Sequence, residues 1–145
     1  MYREEPQHVT IVIRSLERAQ EADGTEEIRE EKIYEGVRYE KGEKTYLKYE
    51  DVQEGVTIIN VVVISPEEII IRRTGGMDSR LQFRNKLRYS FLYHTLYGDV
   101  PLCIETKRYL TVMEPECVRV HLTYDILSQD AVVSYHEIQL EAKTK

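Results

Sequence analysis

The chain has 145 residues, 41% of them hydrophobic and 32% charged, with a formal net charge of −6. That length fits one domain spanning residues 1–145, and the composition is that of an ordinary globular protein without repeats or low-complexity tracts. The longest apolar run, Val61 to Ile64 with Ile58 and Ile59 just before it, is too short to cross a bilayer. The opening MYREEPQHV lacks the apolar core of a signal peptide, so a cytoplasmic location without a membrane partner is the expectation.

No long window carries a 3.6-residue apolar period, whereas a period of two recurs along the chain. Val9, Ile11 and Ile13 alternate with Thr10, Val12 and Arg14 in the first such run. The acidic stretch 21–35, EADGTEEIREEKIYE, is broken by Asp23-Gly24 and reads as the end of one strand and a long, twisted second one. Leu47 and Tyr49 alternate with Lys48. Residues 55–64 are apolar on both faces, which predicts that a dimer or the folded-over acidic second strand covers the outer one. Leu87, Tyr89, Phe91 and Tyr93 alternate with Arg88, Ser90, Leu92 and His94. The cleanest half-buried strand sets Val118, Val120, Leu122, Tyr124 and Ile126 against Arg119, His121, Thr123 and Asp125.

Turn signals such as Lys41-Gly42, Glu54-Gly55, Gly75-Gly76 and Gln129-Asp130 separate these runs. Strands are predicted at 8–18, 26–40, 44–50, 55–64, 68–74, 78–84, 87–95, 100–113, 117–128 and 131–142. Most gaps are too short for a parallel crossover, so neighbours are antiparallel hairpin partners. The fold class is therefore all-β: a single antiparallel up-and-down barrel of 8–10 strands, in which closure removes the bare edges of an open meander.

Cys103 and Cys117 fall on consecutive strands joined by a turn near Pro115. In that register they lie far beyond the ~7 Å that a disulfide tolerates between Cα atoms, and free thiols are expected. No metal-ligand spacing and no cofactor motif occur.

The run IIIRRTGGMDSRLQF…LRYSFLYHTLYGDVPLCIETKRYL resembles the YwiB-like family of uncharacterised small proteins of Gram-positive bacteria. The likeness rests on Arg73-Thr74-Gly75, Leu81 and Phe83, the phrase Tyr93-His94-Thr95-Leu96-Tyr97-Gly98, the strand Leu102 to Leu110, and Leu122-Thr123-Tyr124-Asp125. The resemblance implies a lipocalin-like, calycin-type β-barrel and brings no catalytic residues. The Gly-x-Trp signature of true lipocalins is missing, since the chain contains no Trp.

Charge is uneven. Residues 72–88 carry six basic side chains against Asp78, whereas residues 1–71 carry nine basic and seventeen acidic. If Gly75 to Met77 form a turn, Ile69 faces Phe83, Ile71 faces Leu81 and Arg73 faces Ser79. Continued pairing through the 84–86 turn sets Leu87 against Phe83, Tyr89 against Leu81 and Phe91 against Ser79. Arg73, Ser79, Tyr89, Phe91 and Tyr93 then line one barrel mouth, where a guanidinium can clamp a carboxylate or phosphate and aromatics can bury the remainder of a ligand. The leading reading is a binding module for a small, partly apolar anionic ligand. The alternative is a structural or protein-interaction barrel with a filled core, acting as a homodimer. RNA binding through 72–88 ranks third, because the acidic remainder repels a phosphate backbone.

Catalysis needs a nucleophile, a base and an orienting group in one place. His94 and His121 fall on outward faces, and an inward His136 reads as a hydrogen-bonded core residue. The expectation is a protein that is not an enzyme.

Overall fold

The computed structural model describes residues 5–21, 24–76 and 78–145; Asp23 and Met77, assigned to turns above, lie outside them. Ten antiparallel strands form one sheet rolled into a nearly closed barrel. They are β1 (Gln7–Glu21), β2 (Gly24–Lys41), β3 (Lys44–Gln53), β4 (Val56–Ile64), β5 (Glu68–Thr74), β6 (Ser79–Arg84), β7 (Arg88–Thr95), β8 (Gly98–Met113), β9 (Cys117–Ser128) and β10 (Ala131–Thr144).

The two-residue connections dictate this meander. Gln129 and Asp130 both take positive φ, 52° and 65°, between the paired Ser128 and Ala131. That is the geometry of the mirror-image hairpin turn, whose twist matches the flanking strands. Glu54 and Gly55 do the same at 51° and 79°. The first and last strands pair along most of their length, from Val9 with Thr144 to Ala19 with Ser134, and this joins the ends of the meander.

Alternation then fills the interior. Val118, Val120, Leu122 and Tyr124 of β9 point inward, as do Val9 and Ile11 of β1 and Leu140 and Ala142 of β10. Phe83 reaches them from β6, its ring 4.8 Å from that of Tyr124. Burial of such area is the main stabilising contribution.

The acidic β2 is a strand because β1 gives its glutamates partners: Arg14 pairs with Glu31 at 2.7 Å and Arg18 with Glu27 at 3.2 Å. β2 lies edge to edge with β1 and β3 and does not fold over β4. Ile59, Val61 and Val63 on the outer face of β4 are instead half-buried by neighbours in the same sheet, such as Tyr46 and Ile70 beside Val63. Cys103 and Cys117 are free and half-buried; Cys103 pairs with Leu127 and Cys117 with Lys143, well apart along the barrel.

One predicted hairpin does not form. Among the described residues, β6 has a ladder partner only in β5, and β7 only in β8. Leu87 does not face Phe83, nor Tyr89 Leu81, nor Phe91 Ser79 in a ladder. The cause is at the turn. Leu87 N–H donates to the Arg84 carbonyl at 2.8 Å, and then Lys86 N–H and the Leu87 carbonyl both bond to Thr106 of β8 at 3.0 Å. Asn85 also bonds Tyr109 of β8 twice: its Oδ1 accepts from the backbone N–H at 2.7 Å and its Nδ2 donates to the carbonyl at 3.3 Å. With β8 occupying the turn, β7 runs along β8 and diverges from β6. The barrel is pinned at the end near residues 84–88 and open toward Asp78 and Thr95.

Candidate functional site

The opening between β6 and β7 is a cleft of about 750 Å³, within the usual size range of small-ligand sites. Arg73, Asp78, Ser79, Arg80 and Leu81 form one wall, and Ser90, Phe91, Leu92, Tyr93, His94 and Pro101 form the other. Four of the five residues singled out from the sequence, Arg73, Ser79, Phe91 and Tyr93, thus meet at one cavity. It lies along a seam in the barrel wall, where the sequence reading drew a closed ring at the mouth. Tyr89 sits at the pinned end, where its hydroxyl donates to the Arg80 carbonyl at 2.8 Å.

The β5–β6 turn positions the first wall. Gly75 has φ +104°, and a Cβ there would run into the Thr57 carbonyl oxygen, so only glycine fits. The register that follows places Ile69 opposite Phe83, Ile71 opposite Leu81, and Arg73 opposite Ser79. Arg73 is half-buried, and among the described residues it forms no ion pair. In contrast, Arg84 pairs with Glu68 at 3.1 Å, and Arg88 with Glu105 at 2.7 Å. The acids paired with the basic segment therefore come from β5, β8 and the β9–β10 turn, where Asp130 lies 3.5 Å from Arg88, while Glu27 and Glu31 of β2 pair with β1.

Arg73 belongs to an inner row that the sequence reading missed. It faces Asn60 of β4, which faces Tyr49 of β3. The Tyr34 hydroxyl donates to Asp51 Oδ2 at 3.3 Å, and the Tyr34 and Tyr49 rings lie 4.5 Å apart. Burial pushes the Tyr49 hydroxyl up to about 12; Tyr34 and Asp51 push the same way, and the Arg73 charge opposes them. Tyr49 was legible as inward from its alternation with Leu47. Its row partner Asn60 follows only from a register carried across three strands.

The histidines lie elsewhere, apart from His94, whose Nδ1 is 2.5 Å from Asp99 Oδ1 at the cleft's outer rim. His121 pairs with Glu137 on the outer face at 3.2 Å. His136 points inward, stacked on Tyr124 at 4.8 Å with its Nε2 2.8 Å from Ser134 Oγ, and burial lowers its pKa toward the neutral ring. Among the described residues, no three His, Cys, Asp or Glu side chains are grouped to hold a metal ion. Among the described residues, no helix is long and apolar enough to cross a membrane, a statement about helices and not about strands.

Ten antiparallel strands in a nearly closed, up-and-down arrangement define a β-barrel protein with one breached seam. A model of the family described as "Domain of unknown function (DUF1934)" matches residues 11–140, and the chain belongs to that family. It is 24% identical over 120 residues to the "Uncharacterized beta-barrel protein YwiB" of Bacillus subtilis (strain 168), covering 83% of this chain and 84% of that one. The crystal structure of ywiB protein from Bacillus subtilis superimposes with a TM-score of 0.81 at 20% identity, over 99% of this chain and 96% of that one. The family resemblance drawn from the residues around Arg73 and Tyr93 agrees with these matches.

Proposed function

We propose that the protein is a non-enzymatic binding module that holds a small, partly apolar anion in the cleft between β6 and β7. The observation that carries this reading is Arg73: a half-buried guanidinium, unpaired among the described residues, at a cavity whose opposite wall bears Phe91 and Tyr93. A guanidinium offers five donors in a rigid fork suited to a carboxylate or phosphate. Ser79 adds a hydroxyl beside it, and the aromatic wall takes the apolar part of the ligand. The two free thiols, Cys103 and Cys117, fit a reducing cytoplasm.

Native mass spectrometry of protein purified gently from its host, compared with the denatured mass, tests occupancy. A reproducible added mass of a small molecule is the expected result. Arg73→Ala then lowers affinity for that molecule by about 1.5–3 kcal/mol, as expected for a hydrogen bond to a charged group. Unchanged affinity in this variant removes Arg73 from the clamp role.

A second reading, a homodimer, has one observation in its favour. At the tip of the β7–β8 hairpin, Leu96 and Tyr97 are 99% and 100% exposed, with Leu92 at 57%. A clean apo mass at twice the chain mass supports this reading. RNA binding through 72–88 is disfavoured, because Arg84 and Arg88 are already paired with Glu68, Glu105 and Asp130.

A further inference from the structure

The seam is an edge as well as a cavity. Among the described residues, β7 has a ladder partner on its β8 side only, and β6 on its β5 side only, so two runs of backbone donors and acceptors border the cleft. A strand edge of this kind is a template for another extended chain, and proteins ordinarily cover or blunt it. The Arg80 carbonyl already accepts a hydrogen bond from the Tyr89 hydroxyl at 2.8 Å, where a ladder partner would otherwise donate. β6 thus directs hydrogen-bonding capacity into the seam.

We infer that the cleft accepts an extended acidic peptide segment, which adds as a strand to the free edge of β7. This inference rests on the reading of the cleft as an anion site, and it names the class of ligand. Charge and alternation specify the peptide. Arg73 shares the inner face with Ser79, and Arg80 shares the outer face with Arg72. Neither Arg73, Arg80 nor Arg72 has an ion pair among the described residues, whereas Arg84 and Arg88 do. Successive side chains of an added strand point to opposite faces. Two consecutive acidic residues therefore present one carboxylate to Arg73 and the next to Arg80. Apolar neighbours on the inner face meet Phe91 and Tyr93, and those on the outer face meet Leu92. Among the described residues, Asp78 is the one acid lining the cleft, with Asp99 held against His94 at its outer rim. Asp78 disfavours additional acids beyond the central pair.

The test uses the full chain and synthetic capped peptides of about eight residues, the length of β7, built of valine and threonine around a central glutamate pair. Control peptides carry lysines in place of the glutamates, or N-methyl groups on alternate backbone amides in either register. Decanoate serves as the small-anion probe. The expected result is binding of the glutamate peptide about tenfold or more tighter than the lysine peptide. One N-methylated register loses about tenfold or more while the other retains affinity. The amides of β7 slow in hydrogen exchange when the peptide is bound. Equal binding by both methylated registers, or unprotected β7 amides, overturns strand addition.

The two readings fail separately. Decanoate held in an Arg73-dependent manner with no peptide bound sinks strand addition and leaves the small-anion site standing. Peptide bound without decanoate does the reverse, and binding of neither sinks both. If β7 amides become protected as protein concentration rises without peptide, the occupant is a second copy, and the peptide assignment is overturned.

Discussion

The wall formed by β9, β10 and β1 and the seam between β6 and β7 are built from the same alternating pattern, yet one is sealed and the other is open. In the wall, Leu122 faces Ile138, Val120 faces Leu140, and Ile13 faces Leu140 from the far side, so each inward residue has a neighbour on both flanks. At the seam, Phe91 and Tyr93 continue the same inward alternation, but the strand that would flank them has been left behind at the 84–88 turn. Period two determines which face a side chain takes. Whether two neighbouring strands join depends on what the turn between them binds.

The largest effect that sharpens this contrast lies in the wall. Leu122 is 1% exposed, and Leu122→Ala removes a side chain with no space to collapse into. A loss of about 2–5 kcal/mol is expected from urea unfolding. A loss under about 1 kcal/mol would mean that the wall is as loosely packed as the seam.

A smaller effect is expected at the pinned end of the seam. Tyr89→Phe deletes the donation to Arg80 and keeps the ring. About 0.5–1.5 kcal/mol is lost, the net contribution of one hydrogen bond. Hydrogen exchange should quicken in β7 and stay unchanged in β9. Equal quickening in both strands would show that the seam does not open independently of the wall.

Acidification probes the wall from inside. His136 is buried against Tyr124, and burial, the dominant cause, lowers its pKa from 6.5, partly countered by Glu17 and Asp125. The unfolded chain therefore binds a proton that the folded chain resists. The stability contribution is present in full above 6.5 and is lost as pH falls through the depressed folded value. Glu27, Glu105 and Glu141, lowered chiefly by hydrogen bonds from Arg18, Lys107 and Arg119 respectively, add a loss of the same sign at lower pH. Urea midpoints of His136→Gln should lack the part nearest 6.5 and keep the rest. A wild-type slope retained in the variant would assign it to other groups.

The legible and illegible parts of this molecule divide along the same line. The Gly75-Gly76 pair fixed a local turn, and from it followed Ile69 with Phe83, Ile71 with Leu81 and Arg73 with Ser79. Most strand limits lay within a few residues of the turn signals for the same reason. The stretch Arg84-Asn85-Lys86 resembles any hairpin turn, and its attachment to Thr106 and Tyr109 involves residues about twenty positions away. No local pattern reports such a contact. Asn60 escaped notice for a related reason: its place between Tyr49 and Arg73 accumulates register by register across β3, β4 and β5. Arg73 could be found because it is a charge on the apolar face of its strand, and Tyr93 because it continues the aromatic alternation of Tyr89 and Phe91.

The smallest expected effect returns to the hairpin that the seam leaves free. Leu92 is 57% exposed, on the outer face beside Pro101. In an isolated chain, Leu92→Ser changes stability by no more than about 0.5 kcal/mol, since an exposed leucine has little apolar area to lose. That small value is useful because it separates folding from assembly. If unfolding at low protein concentration shows the expected near-zero change while stability at high concentration falls, Leu92 is buried by a partner. If both values stay near zero, the exposed face of the hairpin contributes to neither folding nor assembly, and the homodimer reading loses Leu92 as a contact.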